Sequence, residues 1–127
     1  MKVLDNLMYN QAHEWIKVEG NVAYLGITDY AQDMLGDIVY VELPEEEDTF
    51  DAEESYMTIE SVKAATDVLA PFECKVLEVN DSLEDEPEAI NKAPYDTWIV
   101  KLEIADPSAL ESFMDAKAYE AFCEEEA

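Results

Sequence analysis

The sequence contains no arginine, and its seven lysines stand against 32 aspartate and glutamate residues, which gives a formal net charge of −25 at pH 7. The lysines are scattered along the chain, at positions 2, 17, 63, 75, 92, 101 and 117. Nucleic acids and anionic membranes bind clustered basic side chains, so both classes of partner are excluded. The excess negative charge favours a soluble monomer; an acidic docking surface or adaptation to high salt would give the same composition.

Glycine, histidine and cysteine are also scarce, with three, one and two residues. The glycines are too dispersed for a phosphate-binding loop, and no G-x-S-x-G nucleophile motif occurs. His13, Cys74 and Cys123 lack the spacing of a zinc site, so we expect no bound metal. Nucleophilic and nucleotide-binding enzymes are therefore disfavoured, and the two cysteines are expected to be free thiols in a reducing compartment.

Long apolar runs are absent as well. None approaches the roughly 20 residues that a membrane-spanning helix needs. Asp5 interrupts the short apolar stretch at the start of the chain, which therefore resembles neither a signal peptide nor an arginine-rich transit peptide. We expect a cytoplasmic protein, or a mature protein of the mitochondrial matrix if the source is eukaryotic.

What the sequence does contain is a series of short strand patterns in 127 residues, 49% of them apolar, the size of a single domain over 1–127. Gly20 suits the turn of an N-terminal hairpin, and a helix is expected to start at Thr28 or Asp29 and to end at Gly36. This pattern is typical of a mainly β fold, an antiparallel sandwich or small barrel. The predicted strands are 13–19, 22–27, 37–43, 55–62, 67–70, 75–79 and 97–104.

The remaining segments are assigned to loops and to one C-terminal helix. Acidic residues predict a loop over 44–54, and 81–91 is expected to be a connection in which Pro87 opens one helical turn. Asp106-Pro107-Ser108 is typical of a helix start. The apolar face of the predicted C-terminal helix is formed by Leu110, Phe113, Met114, Ala118, Ala121 and Phe122.

Lys63 lies midway between two predicted strands, with small or apolar neighbours on both sides. A tight hairpin at this point would hold its amine in solvent, where it could be covalently modified; an ordinary turn lysine is the alternative. Glu60 and Asp67 flank the same hairpin and are expected to face each other across a turn centred near Ala64. Glycosidase-type chemistry by this carboxylate pair is disfavoured, because close pairs arise by chance among 32 acidic residues.

Motifs along nearly the whole chain resemble those of the H proteins of the glycine cleavage system, a family of lipoyl carriers. The matching stretches are 13–15, 26–32, 35–37, 42–44, 60–64, 78–80, 83–85, 87–88, 90–91, 94–95 and 116–119. The resemblance implies a lipoyl-type barrel-sandwich hybrid with short helices and a C-terminal α-helix. It also implies that Lys63 carries covalent lipoate, since biotin-carrier domains flank their lysine with methionines rather than with Val62 and Ala64.

A non-catalytic carrier function follows from the resemblance. Lipoate on Lys63 would take the aminomethyl group of glycine from a pyridoxal-phosphate-dependent glycine decarboxylase to a tetrahydrofolate-dependent aminomethyltransferase. Dihydrolipoyl dehydrogenase would reoxidise the carrier, and a lipoate ligase or lipoyl transferase would attach the cofactor. Two other functions stay open: a lipoate relay that passes the cofactor to other carriers, and an H protein-like module that is redesigned or not lipoylated.

Three acidic residues are assigned roles around the lipoyl arm. Glu14, within the His-Glu-Trp motif, is expected to hold the loaded arm against the protein, while Trp15 is expected to belong to the core. Glu60 and Asp67 are expected to help a lipoylating enzyme recognise the hairpin tip.

Two segments depart from the family pattern. The family has a glycine-containing turn where this chain reads Glu73-Cys74-Lys75. At a second position where the family has glycine, this chain has Asp96-Thr97 instead. The apolar positions of 36–42 also align with those of 74–80, which places Cys74 opposite Gly36. Cys74 is therefore expected to have a positive φ and to be strained.

Overall fold

The computed structural model describes residues 2–126, and these residues form two antiparallel sheets with short helices between the strands. One sheet has six strands in the order β1-β2-β3-β9-β8-β5, and the other has three in the order β4-β6-β7. The mainly β architecture predicted from the strand patterns is confirmed. The strands are β1 (Met8–Tyr9), β2 (Glu14–Glu19), β3 (Val22–Ile27), β4 (Ile38–Glu42), β5 (Thr49–Phe50), β6 (Ser55–Ser61), β7 (Ala65–Leu69), β8 (Cys74–Val79) and β9 (Val100–Ile104).

Four α-helical segments and one 3₁₀ helix connect or follow these strands. They are α1 (Asp29–Leu35), α2 (Ser82–Asp85), α3 (Ala89–Lys92), the 3₁₀ helix Pro107–Ser112 and α4 (Ala116–Glu126). Thr28 rather than Asp29 caps α1, because its hydroxyl accepts the Ala31 N–H, and Gly36 ends the helix as predicted. None of the helices within residues 2–126 is long and apolar enough to cross a membrane.

Two apolar clusters hold the layers together. The first lies between the sheets, and the second joins α4 to the six-stranded sheet. Because successive strand residues point to opposite faces, Ile16 belongs to the first cluster and Trp15 to the second. Trp15 is thus a core residue, as predicted; its indole N–H donates to the carbonyl of Pro94 at 2.9 Å.

The predicted continuous C-terminal helix is wrong. Asp106 caps the first part by accepting the Ser108 N–H, and a 3₁₀ helix ends before Phe113, which is extended. Tyr9 and Met114 then exchange two backbone hydrogen bonds of 2.8 Å. This pairing with β1 diverts the chain, so that α4 starts only at Ala116. The buried residues of α4 are Ala116, Tyr119 and Cys123, whereas the predicted Ala118 and Ala121 are exposed.

The structure changes three other assignments. The predicted acidic loop contains β5, which pairs with β8, and two helical turns, α2 and α3, replace the single turn assigned to Pro87. The last strand begins at Val100 rather than at 97, and Ile99, which precedes it, is buried. For β5, the pairing with β8 outweighs the local pattern of acidic residues.

Cys74 does not have the positive φ expected from the alignment with Gly36. It is a buried residue of β8, paired with Ile104 on one side and with Phe50 on the other. Asp96 and Thr97 also have no positive φ. The ladder hydrogen bonds of a central strand require extended backbone, which is why Cys74 lacks the expected strain.

Candidate functional site: an exposed lysine beside a cleft

Lys63 lies at the tip of the β6–β7 hairpin, in a two-residue loop with Val62. Ser61 closes this loop: its N–H donates to the Ala64 carbonyl at 2.9 Å, and its hydroxyl oxygen accepts the Lys63 and Ala64 N–H groups at 3.1 and 3.3 Å. Two-residue loops usually need positive φ angles, but none occurs here. The serine hydroxyl thus lets non-glycine residues form a tight tip, which holds Lys63 in solvent.

The Lys63 side chain lies over the end of α1. Its ammonium donates to the Met34 carbonyl at 3.2 Å, and a Cβ on Gly36 would lie 3.4 Å from Lys63 Cε. Asn91 holds this end of α1 in place, because its amide donates to the Gly36 carbonyl at 2.9 Å and accepts the Ile38 N–H at 2.9 Å. Sequence reasoning assigned no role to Asn91, although it lies in an Ile-Asn match to the family pattern.

A cleft of about 750 Å³ opens beside this end of α1. Its walls come from the loop before β2, from α1, from β6 and β7, and from the segment between the 3₁₀ helix and α4. Apolar side chains dominate the lining, with a few polar groups. Among the lining residues are Glu14, Ile27, Met34, Leu35, Ile59, Asp67, Val68 and Phe113.

Glu14 is the buried acid of the cleft. It is 2% exposed, and its only side-chain hydrogen bond in the described chain comes from Asn10 Nδ2, 2.7 Å from Oε1. The Asn10 side chain also accepts the Glu14 N–H at 3.0 Å. Burial raises the pKa of Glu14 from 4.5 to about 7, and the hydrogen bond from Asn10 opposes that shift. A carboxyl group placed in this way is ready to bind a cation that enters the cleft.

The other two predicted site residues do not face each other. Glu60 lies opposite Ala65, next to the tip, whereas Asp67 lies opposite Thr58 and lines the cleft. The predicted turn centre near Ala64 was wrong, because the Ser61–Ala64 hydrogen bond centres the turn on Val62 and Lys63. Both acids are exposed.

Comparison with known proteins adds the decisive observation. Residues 7–126 match the sequence profile of the family described as Glycine cleavage H-protein. The chain belongs to the glycine cleavage H-protein family. This membership makes it a carrier component of the glycine cleavage system rather than an enzyme, in agreement with the sequence-based expectation.

Several bacterial H proteins are similar to the chain over almost all of its length. The glycine cleavage system H protein of Alkaliphilus oremlandii is 50% identical over 127 residues, with 100% of each chain covered. That of Clostridium botulinum strain Loch Maree is 52% identical over 125 residues, which is 98% of this chain and 96% of the relative. The H protein of Clostridioides difficile is 51% identical over 122 residues, 95% of this chain and 98% of the relative.

A solved structure shares the architecture. The crystal structure of a glycine cleavage system H protein from Mycobacterium marinum superposes with a TM-score of 0.84 at 32% identity, and the match covers 94% of this chain and 97% of the other. The lipoyl-type barrel-sandwich hybrid expected from the sequence is thereby confirmed for this H-protein family member.

The residues around Lys63 fit a lipoyl group. The amine is exposed at a tip where an attaching enzyme can reach it, and the apolar cleft beside it suits an alkyl chain with a dithiolane ring. Glu14 adds a buried carboxyl group to this lining.

Proposed function

We propose that the protein carries lipoate as an amide on Lys63 and uses it to move the aminomethyl group of glycine from a glycine decarboxylase to an aminomethyltransferase. The observation that carries this proposal is the position of Lys63, exposed on a rigid tip directly beside a cleft that contains one buried acid. Dihydrolipoyl dehydrogenase and a lipoate ligase or lipoyl transferase complete the set of partners. The free, buried cysteines and the acidic surface support a cytoplasmic monomer.

The lipoyl group supplies a disulfide that opens and closes reversibly while it carries the cargo. The protein's own residues supply the tether and the shelter. Ser61 fixes the tip, so that the arm starts from one place and the local concentration of cargo at each partner stays high. Ile59 and Leu35 line an apolar part of the cleft, in which Glu14 stabilises a cationic amine by a charge-assisted hydrogen bond.

Intact mass spectrometry after treatment with a lipoate ligase tests the attachment site. The parent protein and a Lys92→Arg control should each gain one lipoyl group, because Lys92 is an ordinary exposed lysine. Lys63→Arg should gain none and keep the parental melting temperature, since an exposed loop side chain contributes little to stability. Lipoylation of Lys63→Arg, or modification mapped to another lysine, would refute the assignment. Transfer from glycine in a reconstituted glycine cleavage system then separates aminomethyl transport from a lipoate relay.

The lifetime of the carried aminomethyl group tests the role of Glu14. Glu14→Ala removes the buried carboxylate of the cleft and should shorten this lifetime without preventing lipoylation. Glu14→Gln keeps the shape and the contact with Asn10, and so it shows how much of the effect is due to charge. Equal lifetimes for Glu14→Ala and the parent would show that the arm does not depend on Glu14.

Glu60 and Asp67 are proposed to attract the lipoylating enzyme. Glu60 lies beside the tip, whereas Asp67 is two positions further along the hairpin, with the Thr58 hydroxyl 3.4 Å from its Oδ1. Complementary charge acts mainly on the encounter rate, which salt screens. Glu60→Gln should therefore slow lipoylation at low ionic strength more than Asp67→Asn does. A rate that is unchanged in both variants across a range of salt would exclude this role.

A further inference from the structure

His13 has an unusual conformation for a residue that lines the cleft. Its φ is 62°, in the left-handed region that non-glycine residues seldom adopt, and its side chain is buried. It directly precedes Glu14, and both residues line the cleft. Such backbone strain persists only where the surrounding contacts hold it. The contacts of His13 therefore show what holds in place the wall of the cleft that contains His13 and Glu14.

Both imidazole nitrogens of His13 are bound by the C-terminal helix. Nδ1 lies 2.8 Å from the Tyr119 hydroxyl, and Nε2 lies 2.7 Å from Glu126 Oε2. The ring also stacks on Tyr30 of α1, with 4.7 Å between centroids, and packs against Phe122 of α4. The imidazole thus fills the space between α1 and α4.

The hydrogen bonds around His13 run in one direction. A Glu126 carboxylate oxygen accepts, so Nε2 of His13 donates to it, and in the tautomer with the proton on Nε2 the Nδ1 atom accepts from the Tyr119 hydroxyl. The Tyr119 oxygen, 2.7 Å from Thr28 Oγ1, then accepts the Thr28 proton, and Thr28 Oγ1 accepts the N–H of Ala31. Every group has a partner in this arrangement, which fixes one tautomer of His13 and connects α4 to the N-terminal cap of α1.

We propose that α4 is a positioning element of the cleft, and that Tyr119 and Glu126 hold the wall containing Glu14 in place through His13. The backbone supports this, because the His13 carbonyl also accepts the Thr28 N–H at 3.0 Å. The wall segment is therefore clamped between α1 and α4, while the Glu14 side chain itself is held only by Asn10. This inference rests on the role of Glu14 under the proposed function.

Carboxyl ¹³C NMR of Glu14 in the unlipoylated protein tests the coupling without any cargo. Glu126→Ala removes the acceptor for Nε2, whereas Glu126→Gln keeps an acceptor oxygen and removes the charge. The neighbouring Glu125→Ala is the control for lost charge at an exposed position.

We expect the Glu14 resonance to shift in Glu126→Ala and to stay near its parental position in Glu126→Gln and Glu125→Ala. If the Glu14 resonance does not shift in Glu126→Ala, α4 does not position Glu14. If the resonance shifts as far in Glu126→Gln as in Glu126→Ala, the charge of Glu126 rather than its contact with His13 is responsible. Either result overturns the proposal.

The loaded protein gives the second test. Glu126→Ala should shorten the lifetime of the carried aminomethyl group by about two- to tenfold, the factor that corresponds to one net hydrogen bond. Glu126→Gln should restore most of the loss. If Glu14→Ala shortens the lifetime and Glu126→Ala does not, positioning by α4 is wrong. If Glu14→Ala has no effect, the docking role of Glu14 fails, and the NMR comparison alone decides whether α4 positions Glu14.

Discussion

At the scale of single residues, the Glu14 carboxyl makes stability depend on pH. Its pKa is about 7 in the folded chain and near 4.5 when exposed, so the folded protein binds this proton more tightly than the unfolded chain does. The resulting stabilisation is fully present below pH 4.5 and is lost as the pH rises through 7. Its size is on the order of 3 kcal/mol.

Glu14→Gln removes this titration and should gain stability relative to the parent between pH 5 and pH 8. Urea unfolding of the two proteins at a series of pH values measures the difference between their free energies of unfolding. The other carboxyl groups contribute equally to both proteins, so their contributions cancel in this difference. Glu125→Gln, changed at an exposed position, should show a constant difference from the parent. A constant difference for Glu14→Gln as well would mean that Glu14 is ionised throughout the range.

Cys74 is a second residue whose role the structure decides. It is buried in β8 between two neighbouring strands, and burial raises the pKa of its thiol to about 11, so the thiol is unreactive near neutral pH. Cys74→Gly should lower stability by about 2 kcal/mol, from lost packing and greater freedom of the unfolded chain. Strain at a positive φ would have given the opposite sign.

Chemical denaturation under reducing conditions measures this effect. Cys74→Gly should have a lower midpoint at an unchanged slope. Cys74→Ala keeps a Cβ and should lose less, so the difference between the two variants isolates the backbone contribution. A glycine variant as stable as the parent would contradict the regular pairing of β8.

At the scale of elements, the end of α1 forms the platform for Lys63. Gly36 has φ 77° and ψ −158°, a conformation open almost only to glycine. Gly36→Ala should cost about 1–3 kcal/mol. The added Cβ would lie in van der Waals contact with the Lys63 stem and with Val62, 3.4 and 3.7 Å away, so a strained shift of this backbone would be passed to the tip.

Gly20→Ala is the matched control for this substitution. Gly20 also has a positive φ, 67°, but apart from its chain neighbours no heavy atom of the described residues lies within 4 Å of a Cβ placed there. We expect Gly36→Ala to be the less stable variant in urea and the slower one in lipoylation, with Gly20→Ala lipoylated at the parental rate. Equal lipoylation rates for both would show that the platform does not orient Lys63.

At the scale of the whole molecule, the large net negative charge is the main electrostatic feature. Among residues 2–126 the lysine ion pairs are Lys17–Glu19 and Lys75–Glu47, few against 32 acidic residues. Most carboxylates therefore repel one another, and a compact chain feels this repulsion more than an unfolded one does.

Salt should stabilise the protein by screening this repulsion. Raising the ionic strength from about 0.01 M to about 0.15 M shortens the Debye length from roughly 30 to 8 Å. We expect a gain on the order of 1 kcal/mol, or roughly 4 °C in Tm for a domain of this size. Calorimetry with sodium chloride and with choline chloride should give the same shift, since screening depends on ionic strength alone. A Tm that stays constant or falls would contradict the repulsion argument.

The sequence by itself determined the features that depend on neighbouring residues. The hairpin of β2 and β3, the end of α1 at Gly36 and the hairpin that presents Lys63 follow from strand periodicity and turn chemistry within a few residues. The acid within the His-Glu-Trp motif was also visible in the chain, but its burial was not.

Only the tertiary structure decided the features that depend on distant partners. The pairing of Tyr9 with Met114 breaks the predicted C-terminal helix, and the pairing of Cys74 with Ile104 gives it an extended backbone in place of a glycine-like turn. Likewise, 113 positions separate His13 from Glu126, so no local pattern shows that the last turn of α4 reaches the cleft wall. Local preferences are small, whereas a ladder hydrogen bond or a buried polar contact is costly to leave unmade, so the distant partners prevail.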